Sequence, residues 1–326
     1  MKNSTAVLGL VIGSIALAPT VAAAIDAHDV DTASIETISI KAPRKKSAKP
    51  DAAIVKLQIF LDRAGASPGV IDGLDGTNLS KAISGFEAMQ RLPVDGKLDP
   101  EVTRRLEDQV PAIQAYAITT DDGNDLVDSI PQDYSRQAEM DHLSYTSIAE
   151  KLAERFHMDI GLIKELNPTA SFVPGETIAV AVPGQVRTGA AQRLEVHRKS
   201  GQVFAFAQDG SLLAVYPATI GSKATPSPTG THKVKGVARM PAYIYNPKIN
   251  FQQGNNRKIL KLPSGPNNPV GTVWIDLTEP TYGIHGTPEP ELIDKVGSHG
   301  CVRLTNWDVE ELAGMVKPGV VAKFMD

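Results

Sequence analysis

Apolar residues begin to recur at helical spacing just after residue 50. Ile54, Leu57, Leu61 and Ala64 fall on one face of a 3.6-residue repeat, and Gly65 is placed to stop the helix. Leu79, Ala82, Ile83, Phe86 and Met89 mark a second amphipathic helix. Asp99 followed by Pro100 reads as an N-cap and first helical residue, opening a third helix through Val102 and Leu106. The turn-forming runs SPGVIDGLDG and LPVDGKLD separate these helices. Further on, Ile148, Ala149, Leu152, Ala153 and Phe156 form one helical face. Ile160, Ile163 and Leu166 form another, ended by Asn167-Pro168. Thr177 to Val182 then alternate like a strand and stop at Pro183-Gly184.

From about Arg193 the period changes to two. Leu194 and Val196 alternate with polar residues, as do Val203 and Ala205, while Ser200-Gly201 and Asp209-Gly210 supply turns. Extended runs follow at Thr272 to Asp276, Tyr282 to His285 and His299 to Leu304. One helix, 306–316, places Val309, Leu312, Ala313 and Val316 on one face, with Thr305 and Asp308 as a capping-box start.

These patterns divide the 326 residues into several domains, in line with ~100–200 residues per domain. Residues 51–110 should be a small three-helix unit, 141–184 a small α+β unit, and 193–326 a mainly β, sandwich-like domain. The stretch 111–140 reads as a polar linker. Residues 25–50 read as a basic flexible linker, because Lys41, Arg44, Lys45, Lys46 and Lys49 with two prolines leave little to bury. Residues 1–24 have the form of a signal peptide: Lys2, an apolar core from Ala6 to Leu17, and Ala22-Ala23-Ala24 as a cleavage pattern. An uncleaved anchor is the alternative. No later segment is long and apolar enough for a transmembrane helix, so no stable membrane insertion is expected once the signal is removed. A net charge of -4 and 5% aromatic residues give no footing for nucleic acid.

Export changes the meaning of the single cysteine, Cys301. It cannot close an internal disulfide, and an exported thiol is open to oxidation, so it is either buried and inert or kept for its chemistry. Its surroundings, IHGTPEPELIDKVGSHGCVRL at 284–304, bear on that choice. If 299–303 are extended, His299, Cys301 and Arg303 share a face, which puts two potential cations beside the thiol and favours thiolate. His285, sixteen residues before Cys301, could act as general base from a neighbouring strand. Gly283, Gly286 and Gly300 clear space, and Gly300 would let backbone N–H groups approach a developing oxyanion. Taken singly, Cys301 could be a small core residue, His285 a core histidine and Arg303 a surface charge. Taken together they favour catalysis. A zinc site competes poorly, because one His-x-Cys pair and one distant His lack the paired spacing of structural sites.

The run His285-Gly286-Thr287 followed by Ser298-His299-Gly300-Cys301-Val302-Arg303 resembles the signature of YkuD-type L,D-transpeptidase catalytic domains. Tyr216-Pro217, Ile220-Gly221, Thr229-Gly230, Pro266, Asn268-Pro269, Gly271, Trp274, Asn306, Asp308 and Leu312 extend the likeness over 193–326. Leu57-Gln58, Gly69, Asp72-Gly73, Ala82-Ile83, Phe86 and Val94-Asp95-Gly96-Lys97-Leu98 resemble a peptidoglycan-binding domain. Tyr145, Ile148-Ala149, Leu166-Asn167-Pro168, Pro174-Gly175 and Val182-Pro183 resemble a LysM module, a glycan binder. One departure stands out: the family usually has a glycine midway between the two motif halves, where this chain has Asp294, with Gly297 directly before Ser298.

The catalytic resemblance implies an enzyme of the periplasm or cell wall that needs no metal or organic cofactor. Cys301 would attack the carbonyl of the third-position diamino acid in a tetrapeptide stem, release D-alanine, and pass the acyl group to an amine of a second stem, forming a 3-3 cross-link. His285 would take the thiol proton and the Gly286 carbonyl would orient it. His299, Ser298, Gly300 and Arg303 would serve the substrate or oxyanion. The expected partners are peptidoglycan and, as inhibitor, a β-lactam of the carbapenem type. Other acceptors (water, a D-amino acid, a protein lysine) fit the same residues, and a non-catalytic wall-binding protein is the remaining class.

Overall fold

The computed structural model describes residues 25–38, 49–249 and 251–326, so the expected signal peptide and most of the basic run lie outside the described residues. In the N-terminal half, α1 (Ala27–Thr32) starts at Asp26, whose carboxylate accepts from the Asp29 N–H. α2 (Ala52–Ala64) is capped by Asp51 and ends at Gly65, whose φ of 82° is the left-handed turn that glycine adopts without strain. α3 (Thr77–Gln90) follows, then α4 (Pro100–Leu106), where the Asp99 carboxylate accepts from the N–H groups of Glu101 and Val102. The three helices lie where the periodicity puts them. Two buried polar side chains hold the Asp-Gly turns between them. The Gln58 carbonyl accepts from the Asp72 and Gly73 N–H groups, and the Glu87 carboxylate accepts from those of Asp95 and Gly96.

The next unit departs from expectation. Its elements are β1 (Ile113–Ala117), α5 (Tyr134–Gln137), α6 (Ile148–Arg155), α7 (Ile160–Leu166) and β2 (Thr177–Ala181), and β1 pairs antiparallel with β2. The first strand therefore sits inside the stretch read as a polar linker at 111–140. Only Ile113 of its five residues is buried, so it carries no alternation to detect. The strand–helix–helix–strand unit runs from 113 to 181, with residues 118–147 inserted after its first strand.

A second difference concerns independence. One apolar core runs from Val30 and Ile35 through Leu57, Leu61, Ile83 and Phe86 to Leu152, Ile163 and Val180. The two expected modules therefore share a single core, and part of the expected flexible linker is folded into it. The Asp31 carboxylate accepts from the Ala112 and Ile113 N–H groups, and Lys56 donates to the Asp31 and Ala33 carbonyls, which locks α1 against α2 and β1.

The C-terminal half is mainly β, as expected. Its elements are β3 (Arg193–His197), β4 (Gln202–Phe206), β5 (Leu212–Pro217), β6 (Thr219–Ile220), β7 (Gly230–Arg239), β8 (Tyr243–Tyr245), β9 (Leu260–Leu262), β10 (Val273–Leu277), β11 (Gly283–His285), β12 (Val302–Arg303), α8 (Asn306–Met315) and β13 (Val321–Met325). A nine-stranded mixed sheet has the order β5-β4-β3-β13-β7-β10-β11-β12-β6. The long strand β7 joins its two parts, pairing through residues 230–233 with β13 and through 234–239 with β10. Strands β8 and β9 form a separate hairpin. α8 buries Val309, Leu312 and Ala313 in the second core, beside Ile275, Ile284 and Val302. Its N-cap is Thr305, whose hydroxyl accepts from the Asp308 N–H.

The two halves pack closely. Edge strand β5 receives the chain that follows α2: the Val215 N–H donates to the Gly65 carbonyl and the Ser67 N–H to the Val215 carbonyl, both at 2.9 Å. α3 lies over the same strand, with Gly85 so close that a Cβ there would stand 3.1 Å from the Val215 side chain. An edge that would otherwise offer free backbone groups is covered by the N-terminal half.

Candidate active site

The site is assembled on β10, β11 and β12. Trp274 on β10 is the cross-strand partner of His285 on β11, and their rings stack with centroids 5.4 Å apart and planes 17° from parallel. β11 runs parallel to β12, with His285 opposite Arg303. His285 is buried, and its Nδ1 lies 2.7 Å from the Gly286 carbonyl oxygen. A carbonyl can only accept, so Nδ1 carries the proton and Nε2 keeps its lone pair. Gly286 itself is fixed by packing: a Cβ there would stand 2.1 Å from the Asn306 Oδ1, and one on Gly271 would stand 2.0 Å from the same atom. That oxygen accepts from the Thr272 N–H, so the start of α8 is wedged between the two glycines.

The loop from β11 to Cys301 answers the question raised by Asp294. That residue has a φ of 61°, the left-handed conformation that glycine usually takes and that aspartate tolerates better than most residues. Its N–H donates to the Thr219 hydroxyl at 2.7 Å, and its carboxylate pairs with Lys81 of α3. Asp294 thus makes a left-handed turn and ties it to the N-terminal half.

Residues 299–303 do not form one strand as expected. Only Val302 and Arg303 are extended; Gly300 has a φ of 111°, and a Cβ there would meet Tyr282 at 2.7 Å. The period-two argument therefore does not hold for His299 and Cys301. Both reach the cleft through the turn at Gly300, and His299 is held by a flat stack on Phe251, with centroids 4.0 Å apart. Ser298 is buried beneath the turn. Its hydroxyl donates to the Cys301 carbonyl at 2.6 Å and accepts from the Gly300 N–H at 3.2 Å. Ser227 and Thr225 donate to the Gly300 and Ser298 carbonyls. Ser298 and Gly300, both expected at the substrate or oxyanion, are not among the residues that line the cleft, and the Gly300 N–H is engaged by the Ser298 hydroxyl.

Cys301, His285, His299 and Arg303 do line one cleft of about 140 Å³. Cys301 is half-buried, with its sulfur 3.8 Å from the Thr281 carbonyl. The rest of the lining includes Tyr134, Tyr243, Phe251 and Tyr282, none of which the motif signals. Tyr282 opens the predicted strand of His285, whereas Tyr134, Tyr243 and Phe251 come from segments with no local pattern pointing to Cys301, so only the assembled fold brings those three in.

The electrostatics reverse one expectation. Burial first, and the Arg303 charge second, push the His285 pKa down to about 3, against the opposing hydrogen bond to Gly286. His299 is lowered by burial and then by Arg303. Both imidazoles are therefore neutral near pH 7. Burial raises the Cys301 thiol above its ordinary value, while a Gly283 backbone hydrogen bond and Arg303 act to lower it. The resting pair is thus thiol and neutral imidazole, not a thiolate between two cations. Arg303 supplies the fixed positive charge, and its buried Nε has no hydrogen-bond partner among the described residues.

Comparison with known proteins places two known domains along the chain. Residues 191–322 match the YkuD family, the L,D-transpeptidase catalytic domain, and residues 50–106 match PG_binding_1, a "Putative peptidoglycan binding domain". The chain is 34% identical over 108 residues to "Putative L,D-transpeptidase YkuD" of Bacillus subtilis, covering 33% of this chain and 51% of that one. It is 25% identical over 187 residues to "Probable L,D-transpeptidase YbiS" of Escherichia coli K12, covering 56% and 61%. The chain thus spans between about half and three-fifths of the length of these relatives. Among solved structures, L,D-transpeptidase 1 of Mycobacterium tuberculosis aligns with 47% of this chain and 68% of its own at 16% identity and a TM-score of 0.32. A score that low adds nothing, and the domain assignments stand on the sequence matches.

Proposed function

We propose that this chain is a cell-wall L,D-transpeptidase that forms 3-3 peptidoglycan cross-links by acyl transfer through Cys301. The observation that carries the reading is the shared cleft of Cys301 and a buried, neutral His285 whose Nδ1–H is committed to the Gly286 carbonyl. That leaves Nε2 as the base. His285 takes the Cys301 proton as sulfur attacks the carbonyl carbon of the third-position diamino acid in a tetrapeptide stem. The tetrahedral intermediate collapses, the peptide C–N bond breaks, and the proton passes from His285 to the departing amine of D-alanine. An amine of a second stem then loses a proton to His285, attacks the thioester carbonyl, and restores the thiol. This is the nucleophile–base–orienter arrangement, with a backbone carbonyl as the third member.

The Nε of Arg303, without a partner among the described residues, suits a carboxylate of the stem or the charge on the intermediate, and His299 borders the same space. Ser298 and Gly300 act one step back, by setting the turn that presents Cys301. A β-lactam of the carbapenem type would be expected to acylate Cys301 and block it.

The N-terminal half fits attachment to the polymer. Residues 50–106 supply a peptidoglycan-binding domain, and the strand–helix–helix–strand order of 113–181 is that of a LysM-like glycan binder. Such a protein belongs in the periplasm or wall, reached through the signal at 1–24. No helix among the described residues is long and apolar enough to cross a membrane. The acceptor could instead be water, a D-amino acid or a protein lysine, since the cleft favours none of them. Mass spectrometry of products from purified disaccharide-tetrapeptide tests the reading. Dimers linked 3-3 with loss of D-alanine are expected, and no acyl-enzyme at Cys301 would sink it.

A further inference from the structure

The cleft is completed by the N-terminal half. The insertion at 118–147, between β1 and α6, sends its middle portion across to the catalytic domain. There Leu143 forms a small third core with Tyr245 and Leu262, against which Ile130, Tyr134 and Met140 pack. Backbone bonds fix the crossing: the Leu143 N–H donates to the Ser264 carbonyl and the Asn267 N–H to the Leu143 carbonyl, both at 2.9 Å. Gly265, at a φ of 150°, permits the approach, because a Cβ there would stand 2.0 Å from the Leu143 oxygen. The contact is therefore built into both chain segments.

α5 then presents Tyr134. Its ring meets Tyr243, Tyr245 and Phe251 edge-on, with centroid distances of 6.2, 5.4 and 6.1 Å. Phe251 in turn lies flat on His299. The loop that carries Phe251, between β8 and β9, is tied to the same short helix. The Tyr134 N–H donates to the Gln253 Oε1 at 3.2 Å, the Gln253 Nε2 donates to the Gln132 carbonyl at 2.8 Å, and the Asn256 Nδ2 donates to the Asp133 carboxylate at 3.1 Å. Tyr134 also lines the cleft together with Cys301 and Arg303.

We infer that Tyr134 is a substrate-positioning residue, supplied by the N-terminal half, whose ring holds Phe251 against His299 and walls the side of the cleft that receives the acyl-donor peptide. The inference rests on the transpeptidase reading and adds to it a dependence of donor recognition on a segment outside the catalytic domain. An edge-to-face cluster fixes ring orientation beyond what area burial alone provides, so removing its central member frees Phe251 and its loop. The small, polar chemistry at Cys301 and His285 does not pass through Tyr134.

The test compares the full chain and its variants with disaccharide-tetrapeptide as donor, and with iodoacetamide as a probe that needs only the thiol. Tyr134→Ala should raise KM for the donor by about tenfold while changing kcat by no more than about twofold, the pattern of lost ground-state binding. Tyr134→Phe should restore wild-type KM, because the ring and not the hydroxyl makes the cluster. Alkylation of Cys301 should proceed at wild-type rate in both. Gln253→Ala, which removes two of the three tethering bonds and leaves the ring, should raise KM by a smaller factor and decides the matter if Tyr134→Ala does not fold. An unchanged donor KM in Tyr134→Ala, or in Gln253→Ala where that variant decides, overturns the proposal. So does failure of Tyr134→Phe to restore KM, or parallel loss of alkylation and acylation. If the unmodified chain is alkylated at Cys301 but never acylated by the donor, the functional reading itself fails.

Discussion

The floor and the wall of the cleft were made in different ways. The floor is Trp274, His285 and Arg303 on three adjacent strands, closed by the turn at Gly300 that delivers Cys301. Its members lie within a short stretch of chain, and tight glycine packing leaves them little freedom. The wall is Tyr134 and Phe251, from an insertion in one half and a hairpin loop in the other, joined by ring edges and amide side chains. A rigid floor suits bond making, where small displacements are costly. A wall assembled from separate segments can differ between relatives while the chemistry beneath it stays the same.

That contrast can be broken most severely at the floor. Cys301→Ala should abolish acyl-enzyme formation and turnover while leaving thermal unfolding close to wild type. Any stem-peptide adduct that survives in this variant, read by intact-protein mass spectrometry, would mean another nucleophile.

His285→Ala should lower the acylation rate by roughly 10²–10⁴-fold, the usual contribution of a positioned base. The low pKa of His285 gives this prediction a pH signature. Folding depresses the pKa to about 3 from the unfolded value, so the unfolded chain binds the proton more readily. The stability linked to His285 is therefore fully present above the ordinary histidine range and is lost as pH falls through that range toward 3. Activity should likewise show no histidine-like acid limb near pH 6. A limb there in the acylation rate, absent from His299→Ala, would assign the base to His299.

Gly286→Ala should come next. Its methyl would overlap the Asn306 side chain, displacing either the base-orienting carbonyl or the start of α8. A stability loss of about 1–3 kcal/mol by denaturant titration is expected from overpacking at a closed position. Acylation should fall with it, and wild-type values for both would mean that the wedge is loose.

The smallest effect belongs to Asp294→Gly. Glycine removes the strain of a φ of 61° but also the ion pair with Lys81, which is largely buried. The two changes oppose each other, each on the order of 1 kcal/mol, so net stability should move by less than about 1 kcal/mol. Lys81→Met lacks the compensating gain and should be the more destabilising of the two. Unchanged stability in Lys81→Met would show that the pair contributes nothing.

Where neighbours in sequence are neighbours in space, the chain alone was informative. Helical periodicity located α2, α3, α4, α6, α7 and α8 because each buries a stripe of its own residues. Caps at Asp99 and Thr305 depend only on the first turn that follows them. The His-Gly and Ser-His-Gly-Cys runs pointed to the proposed site, because Gly286 and Gly300 stand where close packing leaves no room for a side chain. Tertiary structure decided the rest. β1 exists because β2 pairs with it, so its own residues need no pattern. The expected modules merged because Leu61 of one and Val180 of the other lie in a single buried core that also takes in Val30, which no local period can announce. The protonation state at the site followed from burial and from the Arg303 charge, and both arise only when β10, β11 and β12 come together. Tyr134 entered the cleft for the same reason, since its partners Tyr243, Tyr245 and Phe251 lie more than a hundred residues away along the chain.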